Sequence, residues 1–121
     1  MPVKYRIDHD HKAVFTILEG TITDEEMIDI QVKLRTDPEF NPDYSHLIDC
    51  RPIGELKISV TGIKTISSSD MFSTQSRRAF VVPSDAAYGF SRMFQVYRQH
   101  GPEQTEVFRD FDKAMQWIGL E

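Results

Sequence analysis

Between residues 77 and 119 the apolar positions follow two rhythms that together predict strand, helix, strand, helix. Arg78 to Val82 is a short apolar run of the kind buried on both faces of a sheet, and Pro83-Ser84-Asp85 stops it and offers side-chain oxygens to the first turn of a helix. After Asp85, Phe90, Met93, Phe94 and Tyr97 recur at helical spacing, and Gly101-Pro102 ends that element. Thr105 to Arg109 reads as the next strand, with Asp110 as an N-cap. Phe111, Ala114, Met115 and Ile118 then share one face of a closing helix.

The first half of the chain is patterned in the same way. Val3 to Asp8 alternates at period two, Ala13 to Leu18 is a second strand, and the short link His9 to Lys12 makes the pair an antiparallel hairpin that Gly20 closes. Thr23-Asp24-Glu25-Glu26 has capping-box spacing and opens a helix whose stripe is Met27, Ile30 and Leu34, flanked by Ile28. Pro38 to Pro42 is loop, His46 to Cys50 a third strand, and Arg51 to Lys57 loop again. Ser59 is the best cap for a second helix carrying Val60, Ile63 and Ile66, although Gly62 and several β-branched residues weaken it.

The predicted order is β-β-α-β-α-β-α-β-α: an α/β fold with a mostly parallel five-stranded sheet whose first strand is antiparallel, in one domain over residues 1–121. Hydrophobic residues at 40% and charged residues at 27% are a globular balance, and no run approaches the ~20 apolar residues that cross a bilayer. The opening MPVKYRIDHDH lacks the blocks of a secretion signal, which points to the cytoplasm. A formal charge of −5 with scattered basic residues argues against nucleic acid. The adjacent pair Arg77-Arg78 reads as a surface feature at the sheet margin.

Ligands of such sheets gather beyond the carboxyl ends of the strands, and that rule selects a rim made of Asp49, Cys50, Arg51, Ser59, Ser84, Asp85, Arg109 and Asp110. Its plainest reading is that Ser59, Asp85 and Asp110 are ordinary helix caps; its sharper reading is a recognition surface. Enzymatic readings are weak. His9-Asp10-His11 lies on a turn with no further ligand in sight, so no metal is expected; Cys50, the single cysteine, has no base placed by a motif; Ser84 lacks a nucleophile elbow; and no glycine-rich phosphate loop exists, so no cofactor is expected. Met71, Phe72, Tyr88, Phe90 and Phe94 could line an apolar pocket, with core packing as the default for most of them.

The segments LEGTITDEE, HLIDCRPI, RRAFVVPSDAAYGFSRMF and VFRDFDKAMQWIG, in this order of elements, resemble the STAS-like domains of the bacterial SpoIIAA-like group, related to anti-sigma-factor antagonists. The resemblance implies a non-enzymatic regulatory module that binds a protein partner, an anti-sigma factor of the kinase type, and leaves homodimerisation open. It also implies a phosphorylated serine at the start of the second helix, in an Asp-Ser-Ser-Gly-like motif. The matching stretch is Ile58-Ser59-Val60-Thr61-Gly62, which lacks the acidic residue and the second serine, so Ser59 inherits the switch. The likeness of this fold group to lipid-carrying CRAL-TRIO domains implies an alternative, a carrier of a small apolar ligand or lipid.

Overall fold

A computed structural model describes residues 3–120. Five strands form the main sheet: β1 (Val3–Asp8), β2 (Ala13–Leu18), β4 (Ser45–Asp49), β6 (Arg77–Val81) and β7 (Gln104–Phe108), in that spatial order. β1 pairs antiparallel with β2 from Val3↔Leu18 to Asp8↔Ala13, and every later pairing is parallel. The helices are α1 (Asp24–Thr36), α2 (Val60–Ile66), α3 (Asp85–Tyr97) and α4 (Phe111–Trp117).

Strand order rises steadily from β1 to β7, and this decides how the helices are distributed. Successive right-handed crossovers in one direction place every connecting helix on the same side. Accordingly, residues of α1, α2 and α3 join Leu18, Ile48, Phe80 and Val82 in one core, while only α4 covers the opposite face, through Ala114 and Ile118 on Leu47, Ala79 and Val81. A third cluster of Val14, Leu34, Met71 and Phe72 closes the side beneath the end of α1.

Capping is as the residue types require. Thr23 and Glu26 form a reciprocal box at α1, and Ser59 and Asp110 cap α2 and α4. At α3 the cap is Ser84, whose hydroxyl accepts from the Ala87 N–H at 3.3 Å. The expectation for Asp85 is corrected: it is the first residue of the helix, where its charge faces the positive end of the dipole.

Two further readings are corrected. Gly20–Thr23 and Ile53–Lys57 are strands, β3 and β5, paired parallel as a separate two-stranded sheet. Short alternating segments of this kind, Ile22 against Leu56, carry too few residues to show a period. Arg78 is also no surface residue. Arg77 is exposed and stacks on Trp117 at 5.5 Å, but Arg78, one position along the strand, points to the other face and is only 6% exposed.

Candidate functional site

The rim predicted from the sequence resolves into three separate groups. The first is built around Ser59. Its backbone is extended, as a cap requires, and its hydroxyl oxygen accepts from the Gly62 N–H at 2.9 Å. The same hydroxyl donates to Asp24 Oδ2 at 2.6 Å, and the Ser59 N–H donates to Asp24 Oδ1 at 2.9 Å. The carboxylate that Ser59 bonds thus comes from 35 residues away, in the first turn of α1.

Gly62 explains itself in this setting. A Cβ there would lie 2.1 Å from Asp24 Oδ1, so only glycine lets the carboxylate approach the start of α2. Val60, the next residue after Ser59, is 49% exposed, which leaves an apolar side chain in solvent beside the exposed serine.

The second group is Asp49 with Arg51. The guanidinium grips the carboxylate through Nε and Nη2, both at 2.9 Å, and lies 4.4 Å over the Phe111 ring. Burial opposes ionisation of Asp49, but the hydrogen bonds from Arg51 outweigh it and hold the carboxyl below its ordinary value. This pair borders an open groove of about 560 Å³ between the hairpin and α4, where a single helix leaves the sheet thinly covered and Ile17 exposed. The third group is Arg109, which bonds Asp85 and lies 5.5 Å from the Tyr88 ring; both side chains of the ion pair are largely solvated.

Cys50 belongs to the core. Burial and the neighbouring Asp49 charge push its thiol up to about 12, so it is a protonated, apolar filler at neutral pH. His9 and His11 turn to different partners: His9 to Tyr44 and Glu39, at 2.7 and 2.8 Å, and His11 to Asp8 at 2.8 Å. Among the described residues no group of three or more His, Cys, Asp or Glu side chains is placed to hold a metal ion.

The aromatic set divides. Met71, Phe90 and Phe94 line a cavity of about 90 Å³ between the sheet and α1, α2 and α3. Phe72 packs instead on His46 and Phe40, and Tyr88 stands 39% exposed on the rim. Pockets for drug-sized ligands begin near ~300 Å³, so this volume gives the lipid-carrier reading no support.

Sequence reasoning missed a second polar centre altogether. At the amino ends of the strands His46, Arg78 and Thr105 stand side by side, in register across β4, β6 and β7. Glu103, with a side chain 0% exposed, receives Arg98 through Nε at 3.0 Å and Nη2 at 2.7 Å, and Arg78 through Nη1 at 3.3 Å. Burial alone would raise the Glu103 pKa, yet the bond from Arg98 and the charge of Arg78 bring it below its ordinary value. Burial also pushes Arg78 down to about 10, against the pull of Glu103, and its guanidinium lies 4.8 and 4.9 Å from the rings of Phe72 and Phe94.

A signal was present in Arg98-Gln-His-Gly101-Pro-Glu103. Gly101 is more than a stop: a Cβ there would sit 2.3 Å from the Arg98 guanidinium, so the glycine makes room for the cation that Glu103 binds.

Comparison with known proteins bears on the architecture. No family model matches the chain, and no curated protein matches it. Among solved structures, an uncharacterized protein of the DUF3478 family with a SpoIIAA-like fold, from Shewanella loihica PV-4, superposes with a TM-score of 0.61. The match covers 96% of this chain and 93% of that one at 17% identity. The fold is SpoIIAA-like. The five-stranded sheet with one reversed strand, read from the residue pattern, is therefore the architecture of this SpoIIAA-like chain, extended by the small β3–β5 sheet.

Proposed function

We propose that this chain is a non-enzymatic, cytoplasmic regulatory module that docks a protein partner on the surface around the start of α2, and that phosphorylation of Ser59 releases or alters that docking. One observation carries the reading: the Ser59 hydroxyl is exposed, adjoins the exposed Val60, and is simultaneously the cap of α2 and the ligand of the Asp24 carboxylate. A modification at this oxygen reaches two helices at once.

The sign of the effect follows from magnitudes. A phosphate at a helix N-terminus gains ~0.3–1 kcal/mol from the dipole. A doubly charged phosphate about 4 Å from the Asp24 carboxylate is repelled by roughly 2 kcal/mol even at the dielectric of water. Repulsion wins, and the donated bond to Asp24 is lost as well. The phosphorylated form therefore parts the first turn of α1 from α2 and rearranges the surface a partner would read. In this reading Asp24 plays the part of the acidic residue that the stretch Ile58–Gly62 lacks. Val60 and Tyr88, exposed near the starts of α2 and α3, are the apolar anchors suited to a protein surface.

The test is partner capture by wild-type, Ser59→Ala and Ser59→Asp proteins from the native host, paired with near-UV circular dichroism. Ser59→Asp is expected to change the captured set while Ser59→Ala does not. Identical capture by the three folded proteins would remove the switch.

A further inference from the structure

The two edges of the main sheet are finished differently. At β7, Gln104 and Phe108 face β6, because the Gln104 N–H donates to the Ser76 carbonyl and the Phe108 carbonyl accepts from the Val82 N–H. The peptide groups of Thr105 and Val107 therefore point outward. Side chains engage both: Gln95 Nε2 donates to the Thr105 carbonyl, and the Val107 N–H donates to Glu106 Oε1 at 3.1 Å. That edge is closed to a further strand.

The β1 edge has no such cover. The Lys12 carbonyl accepts from the Ser45 N–H on the β4 side, so the Ala13 N–H, across the same peptide plane, faces β1. Alternation then turns the backbone groups of Ala13, Phe15 and Ile17 toward β1, where they meet Asp8, Arg6 and Lys4. The N–H and C=O groups of Tyr5 and Ile7 are left pointing outward, and among the described residues nothing bonds them. Such an edge is a template for one more strand.

Charge selects the strand that fits. On the α4 face β1 carries Lys4, Arg6 and Asp8, two cations followed by an anion. Run antiparallel to a second β1 with Tyr5 opposite Ile7, the pattern sets each Lys4 against the Asp8 of the other chain. Each Tyr5–Ile7 pair then exchanges both of its N–H···O bonds, and on the other face the two side chains extend the apolar cluster of Leu34 and Phe40. Arg6 alone meets its own copy, and each is drawn back over its own Phe15, 4.3 Å from the ring, and onto its own Asp8 at 3.4 Å. Neighbouring registers are worse. Tyr5 opposite Tyr5 brings Lys4 against Arg6 twice, and one centred on Lys4 opposes two lysines.

We propose that β1 is the docking edge for the β1 strand of a second copy, joining two five-stranded sheets into one about a two-fold axis at Arg6. It uses none of the residues around Ser59 and stands apart from that reading.

The experiment is sedimentation equilibrium of the full chain, paired with amide hydrogen exchange by NMR across a concentration series. A single strand pair is at the small end of stable interfaces, so a dimer dissociating at about 10–100 µM is expected. The Tyr5 and Ile7 amides should exchange at least about threefold more slowly at ~1 mM than at ~10 µM, while Thr105, on the other edge, does not change. Lys4→Glu and Asp8→Lys should each weaken the dimer about tenfold by opposing like charges, and the double variant should restore it. A monomer at ~1 mM overturns the proposal. So does a dimer in which Tyr5 and Ile7 exchange alike at both concentrations, or one that Lys4→Glu leaves unchanged.

Discussion

The two ends of the sheet treat charge in opposite ways. At the carboxyl ends Asp49–Arg51, Asp85–Arg109 and Asp24–Ser59 are separate pairs, most of them open to water. At the amino ends Arg78, Arg98 and Glu103 are one connected network, sealed beneath α3 and the segment before β6. Exposed pairs contribute ~0–1 kcal/mol because water competes for them, whereas breaking a buried network strands a charge at a cost of about 3–5 kcal/mol. The difference teaches that the rim pairs can be broken at little cost to the fold. The interior centre cannot, and it persists only while every member is present.

The largest effect that would test this contrast is Glu103→Gln. Two guanidinium groups would lose their shared counter-charge, and unfolding free energy in urea is expected to drop by about 3–5 kcal/mol. A loss below ~1 kcal/mol would place Glu103 with the rim pairs.

Acid should separate the two regions as well. The Glu103 pKa is lowered on folding, so its contribution is full above the ordinary value of 4.5 and disappears as pH falls through the folded value. His46 is also lowered on folding. Below about pH 6.5 the unfolded chain binds a proton there that the folded chain refuses, so stability falls as pH falls, by ~1.4 kcal/mol per unit from this one group. Two stages are expected in a urea-midpoint-versus-pH series: a decline beginning near pH 6.5 that His46→Phe flattens, and a steeper one below 4.5 that Glu103→Gln makes shallower, with Asp8, Asp37 and Asp49 supplying the rest. A wild-type profile flat between pH 6.5 and 5 would show that His46 takes up a proton in the folded state.

How legible these regions were follows from the range of their contacts. Thr23 and Glu26, Ser59 and Gly62, Asp110 and Lys113 lie three residues apart, and local spacing predicts such caps. Asp24 and Ser59 are 35 residues apart, and Arg78 and Glu103 are 25 apart; nothing local ties either pair. Arg78 misled for a further reason. Beside Arg77 it reads as half of a basic pair, yet period-two alternation sends the two side chains to opposite faces, and an arginine entering the core is rare unless paired. β5 was hidden because Gly54 and Glu55 interrupt its apolar positions, and its partner β3 is only four residues long.

Within the rim, Gly62→Ala sharpens the comparison by reversing a general rule. Alanine in a helix interior is ordinarily favoured over glycine by ~1 kcal/mol. Here the new Cβ displaces the Asp24 carboxylate, and the two bonds from Ser59 go with it. At ~1 kcal/mol per bond, with charge-assisted bonds at the upper end, the loss exceeds the gain, and a net destabilisation of about 1 kcal/mol is expected. In an Asp24→Ala background the obstacle is gone, and the same Gly62→Ala should become stabilising. Additive effects in that double-mutant cycle would mean Asp24 and Gly62 do not meet.

The smallest effect belongs to Arg109→Ala. Its bond to Asp85 joins two exposed side chains, and its contact with Tyr88 is at the edge of cation–π range, so a change within ~0.5 kcal/mol is expected. This near-silence is informative only beside the interior arginine. Arg78 and Arg109 both lie near an aromatic ring and bond a carboxylate, but Arg78 does so without water and with a second arginine on the same carboxylate. If Arg109→Ala were to cost as much as 2 kcal/mol by chemical denaturation, exposure would not be what separates the two ends. The carboxyl rim would then be a structural clamp rather than a surface free to engage a partner.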